Sequence, residues 1–140
     1  MAMLITRKAE FSAAHSCYNP RLSEAENRAL YGEGAGAHGH GHNYIIEVTL
    51  EGDPDPATGM VFDLKRLKEV INERVVEPMD HRFLNSEVPP FDSVIPTPEN
   101  IVREIWDRLE PKLRFPNARL HTVKLYETDD LFVEYSGDAT

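Results

Sequence analysis

His38-Gly39-His40-Gly41-His42-Asn43, running without a break into Tyr44-Ile45-Ile46-Glu47-Val48-Thr49-Leu50-Glu51, is the stretch that decides how this chain folds. From Asn43 to Glu51, Tyr44, Ile46, Val48 and Leu50 alternate with Ile45, Glu47, Thr49 and Glu51. That period of two predicts a strand with one buried face. Gly52-Asp53-Pro54-Asp55-Pro56 ends it. In extended chain the side chains at i and i+2 point to the same face, so His40 and His42 can converge on one ion. The glycines between them let the backbone come close without a clash. The other reading of this stretch is a solvated Gly/His-rich loop, and His38, although it shares the spacing, is geometrically the hardest of the three to bring to the same point.

Working outward, residues 3–15 (Leu4, Ile5, Thr6, then Ala9, Phe11, Ala13, His15) read as a first strand, which pairs naturally with the one beginning at His42 and can bring His15 in as a third ligand. Asn19-Pro20 marks a turn, and Ser23-Glu24-Ala25-Glu26 starts a short helix to Leu30. Five of the eight glycines fall between Gly32 and Gly41, predicting a loop. Asp63 caps a helix to Val76 with Leu64, Leu67, Ile71 and Val75 on one face, stopped by Pro78. Thr97-Pro98-Glu99 combines an N-cap, a proline at the first helical position and an acid in the first turn. The helix it starts buries Ile101, Ile105 and Leu109, with Val102 and Trp106 beside them, and Pro111 closes it. Strands at 119–127 and 131–135, joined by Thr128-Asp129-Asp130, finish the chain. The order is ββααββ. It predicts an α+β fold: a four-stranded antiparallel sheet with two helices on one face, in one domain over 1–140. Such a sheet leaves two edges open, and pairing of copies through them is as physical as a monomer with blunted edges.

The chain has 140 residues, 41% hydrophobic and 28% charged, with 15 Lys+Arg against 24 Asp+Glu and a formal charge of −9. So acidic a surface argues against nucleic acid or an anionic membrane as the main partner, though not against a small anion in a local basic pocket. No apolar run approaches the ~20 residues of a membrane span, and residues 1–10 carry charges where a signal peptide is apolar. The single cysteine, Cys17, excludes an intrachain disulfide and fits a reducing cytoplasm.

Six histidines are the first sign of chemistry. Zinc takes imidazole nitrogen readily, and three histidines with a fourth position open make a catalytic rather than a structural site. Gly34-Ala35-Gly36-Ala37-His38-Gly39 fits the dinucleotide pattern G-x-G-x-x-G, but a strand follows it where that motif needs a helix, so it is rejected. Asp80-His81 is either an oriented base or a surface pair. Glu127, ending a strand, is either a bidentate acceptor for an amidine-like ligand edge or a solvated strand end. Cys17, two residues after His15, is either a thiolate near the metal or a small buried hydrophobe. Glu33 in the glycine loop is a further acid/base candidate.

Phe11-Ser12-Ala13-Ala14-His15, Gly39-His40-Gly41-His42-Asn43-Tyr44, Pro78-Met79-Asp80-His81, Thr97-Pro98-Glu99-Asn100 and Tyr126-Glu127-Thr128 follow one another in this order. Together with Thr58-Gly59-Met60-Val61 and Asp63-Leu64 they resemble the 6-pyruvoyl-tetrahydropterin synthase / 6-carboxy-tetrahydropterin synthase family over nearly the whole chain. The resemblance implies a tunnelling fold (T-fold), with sheets joined into a barrel as a trimer and two trimers stacked into a hexamer. It implies zinc on His15, His40 and His42, and a pterin held by Glu127 with Thr97 and Glu99 at the start of the second helix nearby. It places Asp80 and His81 in the proton-transfer apparatus. The implied reaction is on 7,8-dihydroneopterin triphosphate, serving biopterin, queuosine or folate chemistry.

One departure stands out. The family's loop cysteine falls on Gly34 in the animal-type spacing and on Gly36 in the carboxy-forming type. The glutamate of a subfamily that cleaves the dihydroneopterin side chain falls on Ala37. Glu33, Cys17 or His81 alone is left to serve as base. Two alternatives stay beside the synthase: a dihydroneopterin aldolase forming 6-hydroxymethyl-dihydropterin with Glu33 as acid/base, and a pterin-binding module without catalysis.

Overall fold

The computed structural model describes residues 3–36 and 38–138. Ala37, the position of the subfamily glutamate, lies outside the described residues, as do residues 1–2 at the charged start of the chain. In chain order the elements are β1 (Met3–His15), α1 (Glu24–Tyr31), β2 (His40–Gly52), α2 (Leu64–Ile71), α3 (Glu77–Met79), β3 (Arg82–Phe83), α4 (Leu84–Glu87), α5 (Pro98–Leu109), β4 (Arg114–Phe115), β5 (Ala118–Thr128) and β6 (Leu131–Tyr135). A 3-10 turn spans Gly32–Ala35.

The four long strands run antiparallel in the order β1-β2-β5-β6. β1 and β2 pair without a break from Met3 opposite Gly52 to His15 opposite His40. The strand expected from Asn43 therefore begins three residues earlier and takes in both histidines of the His-x-His. On its inner face Tyr44, Ile46, Val48 and Leu50 are fully buried, as the alternation predicts. Leu67, Ile71 and Val75 pack onto that face from one side, and Ile101, Ile105 and Leu109 of α5 from the other. Each such side chain contributes about 1.5–3 kcal/mol by leaving water. Trp106, expected beside them, is only half-buried and meets Tyr135 edge-on.

Two features depart from the sequence expectation. The sheet is six-stranded and mixed rather than four-stranded and antiparallel. β3 runs parallel to β1, Ala13 opposite Arg82 and Ala14 opposite Phe83, and β4 pairs with the start of β5. Strands of two residues are too short to show any periodicity. What docks β3 is the residue pair before it: Ser12 N–H donates to Asp80 Oδ1 at 2.8 Å, and His81 N–H donates to the Ser12 carbonyl at 2.6 Å. The second departure is at Pro78, which does not stop the helix begun at Asp63. The chain passes from α2 through a π-helical turn at Asn72–Val76 into α3, and Pro78 sits in its first turn. Proline has no N–H to donate and its ring crowds the carbonyl four residues back, so the turn before it widens instead of the helix ending.

Candidate metal centre and ligand cavity

The pleat places His15, His40 and His42 on the inner face of the sheet, at the end where β1 finishes and β2 begins. One ring nitrogen from each lies within 4.8 Å of the others. His15 Nε2 stands 3.0 Å from His40 Nε2, and the ring centroids are 4.5, 4.8 and 5.2 Å apart. His38 sits on the turn before β2, exposed, and takes no part in the cluster.

His15 is almost completely buried, and its Nδ1 lies 2.7 Å from the carbonyl oxygen of Pro96. A carbonyl only accepts, so Nδ1 carries the proton and Nε2 presents its lone pair to the cluster. Burial is the main cause that lowers the His15 pKa, partly opposed by the Pro96 carbonyl. Burial lowers that of His42 too, against the pull of the Glu127 carboxylate. Both are thereby kept neutral, the form that ligates a metal. The buried Nε2 of His42 has no hydrogen-bond partner among the described residues. An orphaned, uncharged nitrogen beside two others facing the same point fits a bound cation.

The turn into β2 requires glycine at position 39. Its φ is +69°, and a Cβ there would lie 2.7 Å from the His15 carbonyl oxygen. The loop ahead of it is tied to the strand end that carries His15. Cys17 N–H donates to the Gly34 carbonyl and Ser16 Oγ to that of Gly36, both at 2.8 Å. The Asn85 side chain clasps Ser16 like a ladder rung, accepting from its N–H and donating to its carbonyl, each at 2.8 Å.

A cavity of about 630 Å³ opens beside the cluster, lined by His15, His40, Cys17, Glu33, Pro98 and Glu127. Glu127 Oε1 is 3.5 Å from His42 Nε2. A larger hollow of about 770 Å³ lies across the Gly32–Ala35 turn; it touches none of the three histidines but shares Glu33. Two of the candidate proton-transfer groups, Glu33 and Cys17, are thus brought to the cavity that holds the histidines. Burial, followed by the Glu127 and Glu99 charges, pushes the Cys17 thiol up to about 11, and its Sγ lies 4.0 Å from the Pro96 carbonyl.

Asp80 and His81 lie elsewhere, along the edge of β1. Their side chains approach to 3.6 Å, and His81, in left-handed backbone at φ +59°, is 83% exposed. They are not cut off from the centre, since His42 and His81 line a common cleft of about 410 Å³. Thr97 caps α5, its Oγ1 accepting from Asn100 N–H at 3.3 Å. Glu99 is exposed, one residue beyond the Pro98 that lines the cavity. Sequence reasoning missed the Pro96 carbonyl, Ser16 and Asn85. A backbone acceptor leaves no trace in the sequence, and the Ser16–Asn85 clasp joins residues 69 positions apart.

The sequence pattern of the family described as 6-pyruvoyl tetrahydropterin synthase matches residues 4–138. The 6-pyruvoyl tetrahydrobiopterin synthase of Pongo abelii is 45% identical over 134 residues, covering 96% of this chain and 91% of that protein. The Homo sapiens protein of that name is 44% identical with the same coverage. The solved structure of Caenorhabditis elegans 6-pyruvoyl tetrahydropterin synthase superposes with a TM-score of 0.90 at 35% identity, covering 97% of this chain and 96% of that one. Fold, ordered motifs and these likenesses agree, and the chain belongs to the 6-pyruvoyl tetrahydropterin synthase family of lyases.

Proposed function

We propose that the protein is a zinc-dependent lyase that converts 7,8-dihydroneopterin triphosphate into a tetrahydropterin with loss of triphosphate. The observation that carries this reading is the convergence of His15, His40 and His42 within 4.8 Å beside a cavity that Glu127 also lines. Three converging imidazoles with His15 oriented from behind by Pro96 suit zinc with a position left for substrate. Bound there, zinc supplies a Lewis acid for the oxygens of the substrate side chain.

The chain's own residues do the rest. Glu127 accepts from the amino and ring N–H groups of the pterin, the bidentate pairing in which a carboxylate binds most strongly. Thr97 and Glu99 flank it at the start of α5. Glu33, which lines the same cavity, takes and returns protons along the substrate side chain. Asp80 and His81 act from the cleft that shares His42. Among the described residues, the outer edge of β1 over 3–11 pairs with no other strand, and neither does that of β6, which supports joining of copies into a trimeric barrel and a hexamer.

A side-chain cleavage of unphosphorylated dihydroneopterin is the second reading. It is favoured by the place of Glu33, the carboxylate that faces the histidine cavity together with Glu127. Incubating zinc-loaded protein with 7,8-dihydroneopterin triphosphate and, in parallel, with dihydroneopterin, followed by mass spectrometry, separates them. A pyruvoyl- or carboxy-tetrahydropterin supports the first reading, and hydroxymethyl-dihydropterin from the second tube alone supports the other. No product in either removes both and leaves a pterin-binding module.

A further inference from the structure

Tyr44 is a fully buried side chain on the inner sheet face near the start of β2, stacked on Phe11 opposite it with centroids 5.2 Å apart. Its hydroxyl has no hydrogen-bond partner among the described residues. Leaving a buried hydroxyl unpaired costs the hydration it has given up, and phenylalanine would fill the same space without that cost. The tyrosine oxygen therefore calls for a partner.

Two other buried side-chain atoms share its condition among the described residues, Glu127 Oε2 and His42 Nε2. All three belong to one corner. The Tyr44 ring lies 5.5 Å from that of His42. β2 and β5 pair with Ile45 opposite Tyr126 and Ile46 opposite Leu125, so the next step of the ladder sets Tyr44 beside Glu127. In the metal-site reading the His42 lone pair belongs to the cation. What remains is one O–H donor and one carboxylate oxygen with two acceptor directions.

Given the pterin-anchoring role proposed for Glu127, we propose that Tyr44 is the positioning residue of that anchor. Its O–H donates to Glu127 Oε2, directly or through one buried water, and holds the carboxylate aimed at the ligand. Tyr44 is not among the residues that line the cavity, whereas Glu127 is, so Tyr44 acts through Glu127 and does not touch the pterin. The other lone pairs of the carboxylate stay free for the ligand's N–H groups.

The test uses the zinc-loaded protein, with Tyr44→Phe, Glu127→Gln and the double variant. Tyr44→Phe should melt near the wild-type temperature and hold the same zinc, while its Kd for neopterin, read by fluorescence, rises about tenfold (about 1.4 kcal/mol). In the Glu127→Gln background the same substitution should add nothing, because the donor has lost the group it orients. Unchanged neopterin binding in Tyr44→Phe, or an equal loss in both backgrounds, overturns the proposal. A crystal structure of the wild type reads it without any pterin. Tyr44 Oη within hydrogen-bond reach of Glu127, or sharing one ordered water with it, supports the contact, and a hydroxyl that does neither refutes it. Should the wild type bind no neopterin and form no product, the pterin reading fails, and the crystal structure alone decides the Tyr44–Glu127 contact.

Discussion

His15 and His40 face each other across the last rung of the first strand pair, Nε2 to Nε2 at 3.0 Å, while Nδ1 of His15 is held by Pro96. With its proton committed to that carbonyl, His15 can only accept on the side that faces His40 and His42. Three elements thus meet at one point: the ends of β1 and β2, and the segment leading into α5. A cation bound at that point would tie all three together, and its removal would be felt by the fold as well as by the chemistry.

Removing either histidine of the His-x-His tests the assignment directly. His40→Ala and His42→Ala should each lose bound zinc, measured by elemental analysis after dialysis, and with it turnover. Stoichiometric zinc retained in both variants would refute the metal centre.

The metal-free protein carries a pH signature. Burial lowers the pKa of His15 and His42 below the 6.5 of an unfolded histidine. Between the lowered values and 6.5 the unfolded chain binds more protons than the folded one, so stability falls as pH drops through that window and is restored above it. Chelator-stripped protein should show its melting temperature declining below about pH 6.5, by thermal melts at a series of pH values. His15→Gln should flatten that decline. A melting temperature independent of pH in this range would contradict the buried neutral state.

Gly39→Ala is expected to be costly out of proportion to one methyl group. The residue would be forced to φ +69°, and its Cβ would come within 2.7 Å of the His15 carbonyl oxygen and 3.2 Å of the Phe83 ring. Strain of this kind costs about 1–3 kcal/mol, and relieving it moves the turn that delivers His40. Chemical denaturation should show the loss of stability, and zinc affinity should weaken in parallel. A variant as stable as wild type with undiminished zinc binding would mean that the loop absorbs the change.

Much of this architecture was legible in the chain. The Tyr44–Leu50 alternation specified a strand with one buried face, and extending its pleat backward put His40 and His42 on that same face. Thr97-Pro98-Glu99 marked the start of α5 to the residue, because capping chemistry is local. What stayed hidden depends on partners distant in sequence. β3 exists because Asp80 and His81 bind the backbone of Ser12, which no two-residue pattern at Arg82-Phe83 can announce. The Pro96 carbonyl orients His15 without any side-chain signature. Pro78 reads as a helix stop by local rules, yet burial of Val75 and Met79 carries the helix past it.

The missing loop cysteine leaves the base to be identified, and the geometry ranks the candidates. Glu33 lines the histidine cavity on an exposed turn, and among the described residues its carboxylate makes no hydrogen bond or ion pair that would restrain it; only its backbone carbonyl is held, by Gly36 N–H. Cys17 faces the same space, but burial holds its thiol at about 11, so little thiolate forms near neutrality. His81 stands mostly in solvent on the β1 edge and reaches the centre through the cleft it shares with His42. Glu33→Gln should therefore cut turnover by about 10²–10⁴-fold, the usual contribution of a general acid–base group, with zinc content and neopterin affinity unchanged. Cys17→Ser should alter turnover much less. A full-rate Glu33→Gln together with a large loss in His81→Ala would reverse the ranking, since it would mean that the proton is moved from the β1 cleft rather than from the glycine turn.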